Sequence, residues 1–380
     1  MMAALGAATL ALLIHLVTQM PLPMEPDLIR RLPAGDPISP PQLWPELAAR
    51  RLVLVGETHD DPGHHALQLT VIRELARDGR ATVVALEMFP RPLQPHLDRW
   101  GHGDLEESAF LDAVEWYFTW GFDAGLYLPI LRHARDHGVP LLALNAPREL
   151  VSAVRELGLD GLPEERRAGL PPIAPPPREY EISLHSVFQQ HPMMAGRVDF
   201  GRFVAAQQVW DATMADALLE HLTAHPERRI VALVGSGHLL RGHGIPHQLR
   251  SRGWTDFATL LPWSTDADWV PPDAADYAWG TPPPPAVPPS PRIGVVLELD
   301  QAAAEGPEGV TLQGVGPDSP AARAGLAAGD RILAVNGQPV AKRHVLVRLL
   351  RERPVGQPLR LTVTRKAATG PTEVLIDPRP

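Results

Sequence analysis

The sequence predicts an α/β protein, with a mostly parallel sheet flanked by helices and a small β-rich domain at the C-terminal end. Short aliphatic runs are continuous rather than alternating in polarity, which is typical of strands buried on both faces of a sheet. Amphipathic stretches separate these runs, and the alternation of strand and helix favours right-handed crossovers between parallel strands. The predicted strands are residues 52–55, 82–86, 141–144 and 230–234, and the predicted helices are residues 64–77, 126–137 and 204–221.

Length and composition exclude several classes of protein. A chain of 380 residues is too long for one ordinary domain. Its formal net charge of −9 argues against a nucleic-acid backbone as the main partner. Cysteine is absent, which excludes disulfides, zinc–thiolate sites, iron–sulfur clusters and a lipidated N-terminal cysteine. The protein is therefore not expected to be a lipoprotein.

The ends of the chain differ in composition from its middle. Residues 1–17 are apolar except for Thr9 and His15, so residues 1–24 resemble a secretory signal or a membrane anchor. We expect a periplasmic protein, or one anchored in the membrane and facing the periplasm. A misassigned start and a buried N-terminal helix are the alternatives. The predicted α/β domain covers residues 37–262, a linker with nine prolines covers 271–291, and the C-terminal domain covers 292–378.

Polar residues follow three of the predicted strands. The first strand leads into Gly56-Glu57-Thr58-His59, the second into Glu87, and the fourth into a Gly-Ser-Gly-His string that ends at His238. Because ligands of open parallel sheets bind beyond the carboxyl ends of the strands, these groups are expected to converge on one crevice. Two imidazoles and a carboxylate suit a divalent metal, or an acid–base pair around a water. Glu57 either shares a face with His59 or orients an imidazole from behind.

Other histidines have simpler interpretations. His64 and His65 follow Pro62 and are expected to begin a solvated helix rather than bind a ligand. His243 and His247 have the i,i+4 spacing of a helical pair, but a glycine and a proline between them weaken any helix. We therefore expect no site at these positions.

Five short motifs in order resemble a known family. With the two strings that end at His59 and His238, the sequence contains Ala-Leu-Glu-Met-Phe around Glu87, Asn-Ala-Pro-Arg at 145–148 and Gln-Val-Trp-Asp at 208–211. Together they are similar to the ChaN-like haem-binding uptake proteins of the Tiki/TraB superfamily, over about residues 52–261. The resemblance implies a parallel-sheet α/β fold, haem as cofactor, a homodimer and a link to iron acquisition. More distant relatives include metal-dependent Tiki peptidases and erythromycin-esterase-like hydrolases.

The resemblance also implies roles for individual residues. His59, Glu87 and His238 match the recurring His, Glu and His positions, as metal ligands or catalytic groups. Glu57, Asn145, Arg148 and Asp211 are the further candidates for cofactor binding. The haem ligand of the family is a tyrosine, and none of the four tyrosines of this chain, Tyr117, Tyr127, Tyr180 and Tyr277, lies in a matching motif.

The C-terminal region resembles a PDZ domain of the bacterial protease type. The resemblance lies in the segments at 309–312, 315–326 and 328–337, with a late strand at 359–364. PDZ domains capture the C-terminus of a peptide by strand addition. Ile293, Gly294 and Val295 occupy the place of the carboxylate-binding loop, so Gly294→Glu is expected to abolish peptide binding in a domain that still folds. A PDZ fold retained only for docking within the chain is the alternative.

Three functions remain open from the sequence. The first is an exported haem- or iron-handling protein whose PDZ domain binds protein C-termini. The second is a metal-dependent hydrolase or peptidase that uses His59, Glu87 and His238. The third is a scaffold with a vestigial pocket. The sequence does not identify the metal.

Overall fold

A computed structural model describes residues 22–190, 199–267, 269–285, 293–298, 309–353, 357–365 and 370–377. The chain divides into two compact units. The first runs up to Leu105 and resumes over Ala124–Pro284. The second combines Glu106–Asp123 with the chain from Pro285 onward.

The described residues form the following elements. The strands are β1 (Ile29–Arg31), β2 (Asp36–Ile38), β3 (Leu52–Glu57), β4 (Thr82–Pro90), β5 (Leu141–Asn145), β6 (Arg229–Gly235), β7 (Phe257–Ser264), β8 (Tyr277–Thr281), β9 (Val295–Leu297), β10 (Val310–Val315), β11 (Arg331–Val335), β12 (Gln338–Pro339), β13 (Leu359–Thr364) and β14 (Thr372–Ile376). The helices are α1 (Pro40–Ala48), α2 (Pro62–Ala76), α3 (Gln94–Gly101), α4 (Glu107–Ala113), α5 (Trp116–Thr119), α6 (Ala124–Asp136), α7 (Arg148–Leu157), α8 (Glu164–Ala168), α9 (Arg178–Gln189), α10 (Phe200–Ala224), α11 (Ile245–Ser251), α12 (Pro320–Arg323) and α13 (Arg343–Arg351).

The first unit contains an eight-stranded sheet in the order β2-β1-β8-β7-β3-β6-β4-β5. All neighbours from β8 to β5 are parallel, whereas β1 pairs antiparallel with β8 and β2. Every residue of β3 and β6 is buried, as their continuous aliphatic sequences predict. The predicted fold class is confirmed. The carboxyl ends of β3, β4 and β6 lie side by side, and this edge carries the predicted site.

Helix starts near this edge are set by local chemistry. Helix α2 begins at Pro62, whose missing N–H is not needed in the first turn, and the Asp61 carboxylate accepts hydrogen bonds from the N–H groups of Gly63 and His64. Asp199 caps α10 in the same way. Within the described residues, no helix has the length and apolar character needed to span a bilayer. The predicted signal or anchor lies almost entirely outside those residues.

The proline-rich linker was predicted to begin too early. Strand β8 lies inside residues 271–291 and pairs with β7 on one side and β1 on the other. The prolines flank this strand, at 271–272 and 282–285, and none falls within Tyr-Ala-Trp-Gly-Thr at 277–281. Because none of these five residues is proline, each has a backbone N–H that can donate a hydrogen bond to a neighbouring strand.

The second unit contains an antiparallel sheet in the order β14-β13-β11-β10-β9, with β12 paired to β11. Its core joins Leu312, Ile332 and Leu361 of the strands, and Ile293 just before β9, to Leu346 of α13. Strand β9 is the outermost of its sheet. Glu106–Asp123 is part of this unit, although the sequence analysis had placed it inside the α/β domain.

Candidate functional site

Three of the predicted residues meet beside Gly235, at the carboxyl ends of β3, β4 and β6. A Cβ atom built on Gly235 would lie 2.9 Å from Cε1 of His59 and 3.5 Å from Oε2 of Glu87. Nε2 of His238 lies 3.4 Å from Oε1 of Glu87. The structure therefore brings His59, Glu87 and His238 into one crevice, and only a glycine at 235 leaves room for them.

His238 lies between two carboxylates. Its Nδ1 is 2.6 Å from Oδ1 of Asp211, and Oδ2 of Asp211 accepts a hydrogen bond of 2.8 Å from the hydroxyl of Tyr180. Burial favours the neutral imidazole, but the charges of Glu87 and Asp211 outweigh it and hold the pKa of His238 well above its ordinary value. The protonated imidazole is therefore favoured, with Nδ1 hydrogen-bonded to Asp211 and Nε2 facing Glu87.

Glu87 is the matching anion. Its Oε2 accepts a hydrogen bond of 2.5 Å from the N–H of Gly235. Burial opposes the ionised form, but the positive charge and hydrogen bond of His238, the nearby His59 and the Gly235 N–H together lower the pKa of Glu87. The crevice therefore holds a buried carboxylate against a buried imidazolium.

His59 has a carboxylate of its own. Its Nδ1 lies 2.8 Å from Oε1 of the buried Glu57, which also accepts hydrogen bonds from the Tyr127 hydroxyl at 2.6 Å and the Gln68 amide at 2.8 Å. Burial lowers the pKa of His59, but the bond to Glu57 and the charge of Glu87 raise it overall. Its side chain stays 30% exposed, so it stands at the mouth of the crevice. Glu57 orients the imidazole from behind.

His64 and His65 are buried, and the expectation of a solvated helix start is wrong for them. Nδ1 of His64 accepts the backbone N–H of Thr58 at 2.8 Å. Nε2 of His65 lies 3.2 Å from the carbonyl oxygen of His59. The first turn of α2 folds back over the end of β3, so the rings of His64 and His65 hydrogen-bond the backbone of the loop that carries His59. Both histidines therefore hold His59 in place.

The remaining predicted residues lie outside the contacts among His59, Glu87 and His238. The Asn145 amide donates to the carbonyl oxygen of Glu87 at 2.9 Å and so ties the end of β5 to β4. Arg148 is exposed at the start of α7, and its role in cofactor binding stays a prediction. His247 bonds the carbonyl oxygen of Pro175.

Three residues that hydrogen-bond Glu57 or Asp211 were not predicted to belong to the site. Tyr127 and Gln68 hold Glu57, and Tyr180 holds Asp211. Their positions in the sequence follow the periodicity of ordinary core-facing helix residues, so no local signal marks them. Their contacts span 11 to 70 residues of sequence.

The metal-ligand role of His59, Glu87 and His238 stays a prediction. In the part of the chain that the structure describes, no group of three or more histidines and carboxylates is arranged to hold a metal ion. Carboxylates face both ring nitrogens of His238, Asp211 at 2.6 Å from Nδ1 and Glu87 at 3.4 Å from Nε2.

Three tyrosines of the first unit are hydrogen-bonded to carboxylates. The hydroxyls of Tyr127, Tyr180 and Tyr277 each donate to a carboxylate, those of Glu57, Asp211 and Glu46. Burial and the neighbouring carboxylates raise the pKa of Tyr180 and of Tyr277. Phenolate, the form that binds ferric iron, is disfavoured there. Tyr117 belongs to the second unit.

The loop before β9 is tied to the segment at 316–321, and its role in binding a carboxylate stays a prediction. The carbonyl oxygens of Ile293 and Gly294 accept the N–H groups of Ala321 and Gly316. Gly294 has a φ of +81°, and a Cβ there would lie 2.2 Å from Cβ of Ser319. Gly294→Glu is therefore expected to destabilise the domain as well, because a side chain at 294 would collide with Ser319 and strain the backbone.

Two family models match the chain. The one described as haem-binding uptake, Tiki superfamily, ChaN covers residues 43–249, and the PDZ domain covers residues 313–365. The second match confirms the predicted PDZ domain.

Two solved structures and one curated protein are similar to parts of the chain. A solved structure of cofacial haem binding to ChaN of Campylobacter jejuni has a TM-score of 0.56 and 19% identity, over 68% of this chain and 98% of that one. A solved HtrA3 PDZ domain bound to the phage-derived ligand FGRWV is 28% identical over 23% of this chain and 82% of that one, with a TM-score of 0.20. Protein RETICULATA-RELATED 5, chloroplastic, of Arabidopsis thaliana is 26% identical over 55% of this chain. The chain spans only 30% of the length of that relative.

The first family model covers more than half of the chain and includes every residue that meets in the crevice. His59, Glu87, Asp211 and His238 all lie within its limits. The protein therefore belongs to the ChaN family of haem-binding uptake proteins in the Tiki superfamily, and it carries a PDZ domain in its C-terminal unit.

Proposed function

We propose that the first unit binds haem in the service of iron uptake, and that the PDZ domain attaches the protein to partners by their C-terminal peptides. Membership of the haem-binding ChaN family carries the proposal. The antiparallel sheet of the second unit, with its outermost strand β9, supports the peptide-binding part.

His59 is the side chain that we propose for the haem iron. The tyrosines of this unit donate to carboxylates, and His238 has a carboxylate at each nitrogen. His59 is partly exposed, and Glu57 at its Nδ1 increases the basicity of the imidazole, as the carboxylate partners of metal-binding histidines do. Bound haem would supply the iron that the protein carries.

A haemin titration tests this proposal. The full-length protein should shift and sharpen the Soret band of haemin. His59→Ala should weaken binding at least tenfold and change the ligand-field bands, and added imidazole should restore the spectrum. His225→Ala, at a half-buried histidine just after α10, is the matched control. Binding by His59→Ala with an unchanged spectrum would place the iron elsewhere, and no spectral change with the unsubstituted protein would refute haem binding.

Hydrolysis is the second candidate, and one observation favours it. Glu87 is an anion beside the imidazolium of His238, and these are the two states that a general base and a general acid require. His59 lies on the same crevice and could share a water with Glu87. We propose these three residues as the catalytic groups of such an activity.

Ester and peptide hydrolysis assays with a chelator test the second candidate. Glu87→Gln should abolish turnover of p-nitrophenyl acetate or of a model peptide, and loss of turnover with EDTA would indicate a metal. Glu220→Gln, at an exposed carboxylate of α10, is the control. Turnover that survives Glu87→Gln would refute the assignment.

Peptide capture is tested with a fluorescent Phe-Gly-Arg-Trp-Val probe. The free-carboxylate peptide should bind the full-length protein, and the C-terminal amide should bind at least tenfold more weakly. Equal binding of the two peptides would mean that the loop at 293–295 does not receive a carboxylate.

Export and dimerisation complete the proposal. We propose a periplasmic or membrane-anchored protein from the apolar residues 1–17, and a homodimer from the family resemblance. Fusion of residues 1–30 to a reporter that is active only outside the cytoplasm tests export. Light scattering with and without haemin tests dimerisation.

A further inference from the structure

Glu106–Asp123 packs on the PDZ core's own helix. The segment follows α3 in sequence and precedes α6, yet its contacts lie within the second unit. Phe110, Leu111, Val114 and Trp116 of the segment are buried. Its helices α4 and α5 both contact α13.

An ion pair with two hydrogen bonds fastens α4 to α13. Nε and Nη2 of Arg348 donate to the two carboxylate oxygens of Asp112 at 2.7 and 2.9 Å. The Arg348 side chain is only 9% exposed, and its Nη1 also donates to Glu352 at 3.0 Å. A bidentate pair of this kind fixes the relative orientation of the two groups as well as attracting them.

Two more contacts extend this attachment to the start of α13. Nδ1 of His344 lies 3.3 Å from Oε1 of Glu115, and the guanidinium carbon of Arg343 lies 4.5 Å from the ring centre of Phe118. Residues 344 and 348 are one helical turn apart. They face away from Leu346, which α13 places in the PDZ core.

Helix α13 and strand β9 border the same core. Val295 and Leu297 of β9 are half-buried against it, and so are Val345 and Leu350 of α13. A peptide that adds to the edge of β9 must place alternate side chains toward this core. The position of α13 therefore sets the width of the groove that receives the side chains of the peptide.

We propose that Asp112, Glu115 and Phe118 are positioning residues of the peptide groove. They hold α13 from the side opposite its core, so peptide affinity depends on a segment that lies outside the PDZ sequence. This inference rests on the peptide-binding function proposed above. It goes beyond that function because it makes residues 106–123 part of the binding module.

Variants of the ion pair in the full-length protein test the inference. Asp112→Asn should weaken binding of the Phe-Gly-Arg-Trp-Val probe at least tenfold and speed hydrogen exchange of the amides at 343–351. The double variant D112R/R348D should restore a large part of both, because it rebuilds the pair in reverse. Glu373→Gln removes an exposed ion pair of the same unit and should stay within twofold of the unsubstituted protein.

The possible outcomes separate the two proposals. Unchanged affinity and unchanged exchange in Asp112→Asn would overturn the positioning role. If the unsubstituted protein binds no probe, the peptide-binding function fails, and the exchange of α13 alone then decides whether the segment holds the helix. If Asp112→Asn unfolds, the milder Phe118→Leu is measured in the same two ways, and its unchanged affinity and exchange would equally overturn the proposal.

Discussion

At the residue scale, the charge states in the crevice follow from partners rather than from residue type. His59 and His238 both end polar strings after a strand, but Nδ1 of His59 pairs with Glu57, whereas His238 faces Glu87 at one ring nitrogen and Asp211 at the other. The first ring is partly exposed and the second is enclosed. The same residue type therefore serves as a candidate ligand in one place and as a buried cation in the other.

Asp211→Asn should lower the pKa of His238 and destabilise the fold. Both carboxylate oxygens of Asp211 accept hydrogen bonds, one from His238 and one from Tyr180. Asparagine has only one acceptor oxygen, so its NH₂ group would face one of these two donors. Removing one partner of a buried ion pair costs about 3–5 kcal/mol. Because the folded pKa of His238 is raised, its stabilisation is complete below about pH 6.5 and is lost as the pH rises through the folded value.

NMR titration of ¹⁵N-labelled histidine and denaturant unfolding between pH 6 and 9 check this prediction. Glu220→Gln, nine residues along the same helix at an exposed ion pair with Arg91, should cost only about 0–1 kcal/mol. An unchanged His238 titration in Asp211→Asn would contradict the proposed partnership.

At the element scale, the loops that follow the strands decide what the crevice can hold. Gly235 ends β6 against His59 and Glu87, while Gly237, two residues later, faces open space. The requirement for glycine at 235 is therefore a matter of volume. The same reasoning explains Gly294, where Ser319 occupies the space of a side chain.

Gly235→Ala should displace the His59 ring and weaken haemin binding, while the sheet persists. An added Cβ would lie 2.9 Å from Cε1 of His59, closer than van der Waals contact allows. Overpacking of this kind costs about 1–3 kcal/mol. Haemin titration and denaturant unfolding measure the two effects, and Gly237→Ala is the control on the same loop. Equal haemin affinity in both variants would show that the position of His59 does not matter for binding.

At the scale of the whole molecule, the two units do not follow the order of the sequence. The second unit takes Glu106–Asp123 from within the first and joins it to residues beyond Pro285. An open linker over residues 271–291 would be cut near residues 274–279 and would release two independent domains. Ala274 and Ala278 are fully buried, so that stretch is protected.

A protease site inserted after Pro285 should yield two pieces that remain associated. The C-terminal piece would keep α13, and Glu106–Asp123 would hold it through Asp112, Glu115 and Phe118. Size-exclusion chromatography after cleavage should show one peak that contains both pieces. The Asp112→Asn variant should separate more readily, and separate elution of the unsubstituted pieces would contradict the prediction.

The sequence alone is enough to predict the parallel strands, the PDZ domain and the three residues that meet in the crevice. Each has a local signal, since buried strands are continuously apolar and strand ends in parallel sheets share an edge. The family motifs supply Asn145 and Asp211 without their roles. Asn145 proves to tie β5 to β4, and Asp211 to hold His238.

Three features depended on contacts between residues far apart in the chain. The charge of His238 comes from carboxylates on β4 and α10, strand β8 is defined by the neighbours β1 and β7, and Glu106–Asp123 is assigned to the second unit by its contacts with α13. No local pattern marks any of them, because a buried carboxylate or a short strand has the same sequence whichever partner it meets. Pairing energies and burial arise only when the chain has folded, so the partners could be found only in the tertiary structure.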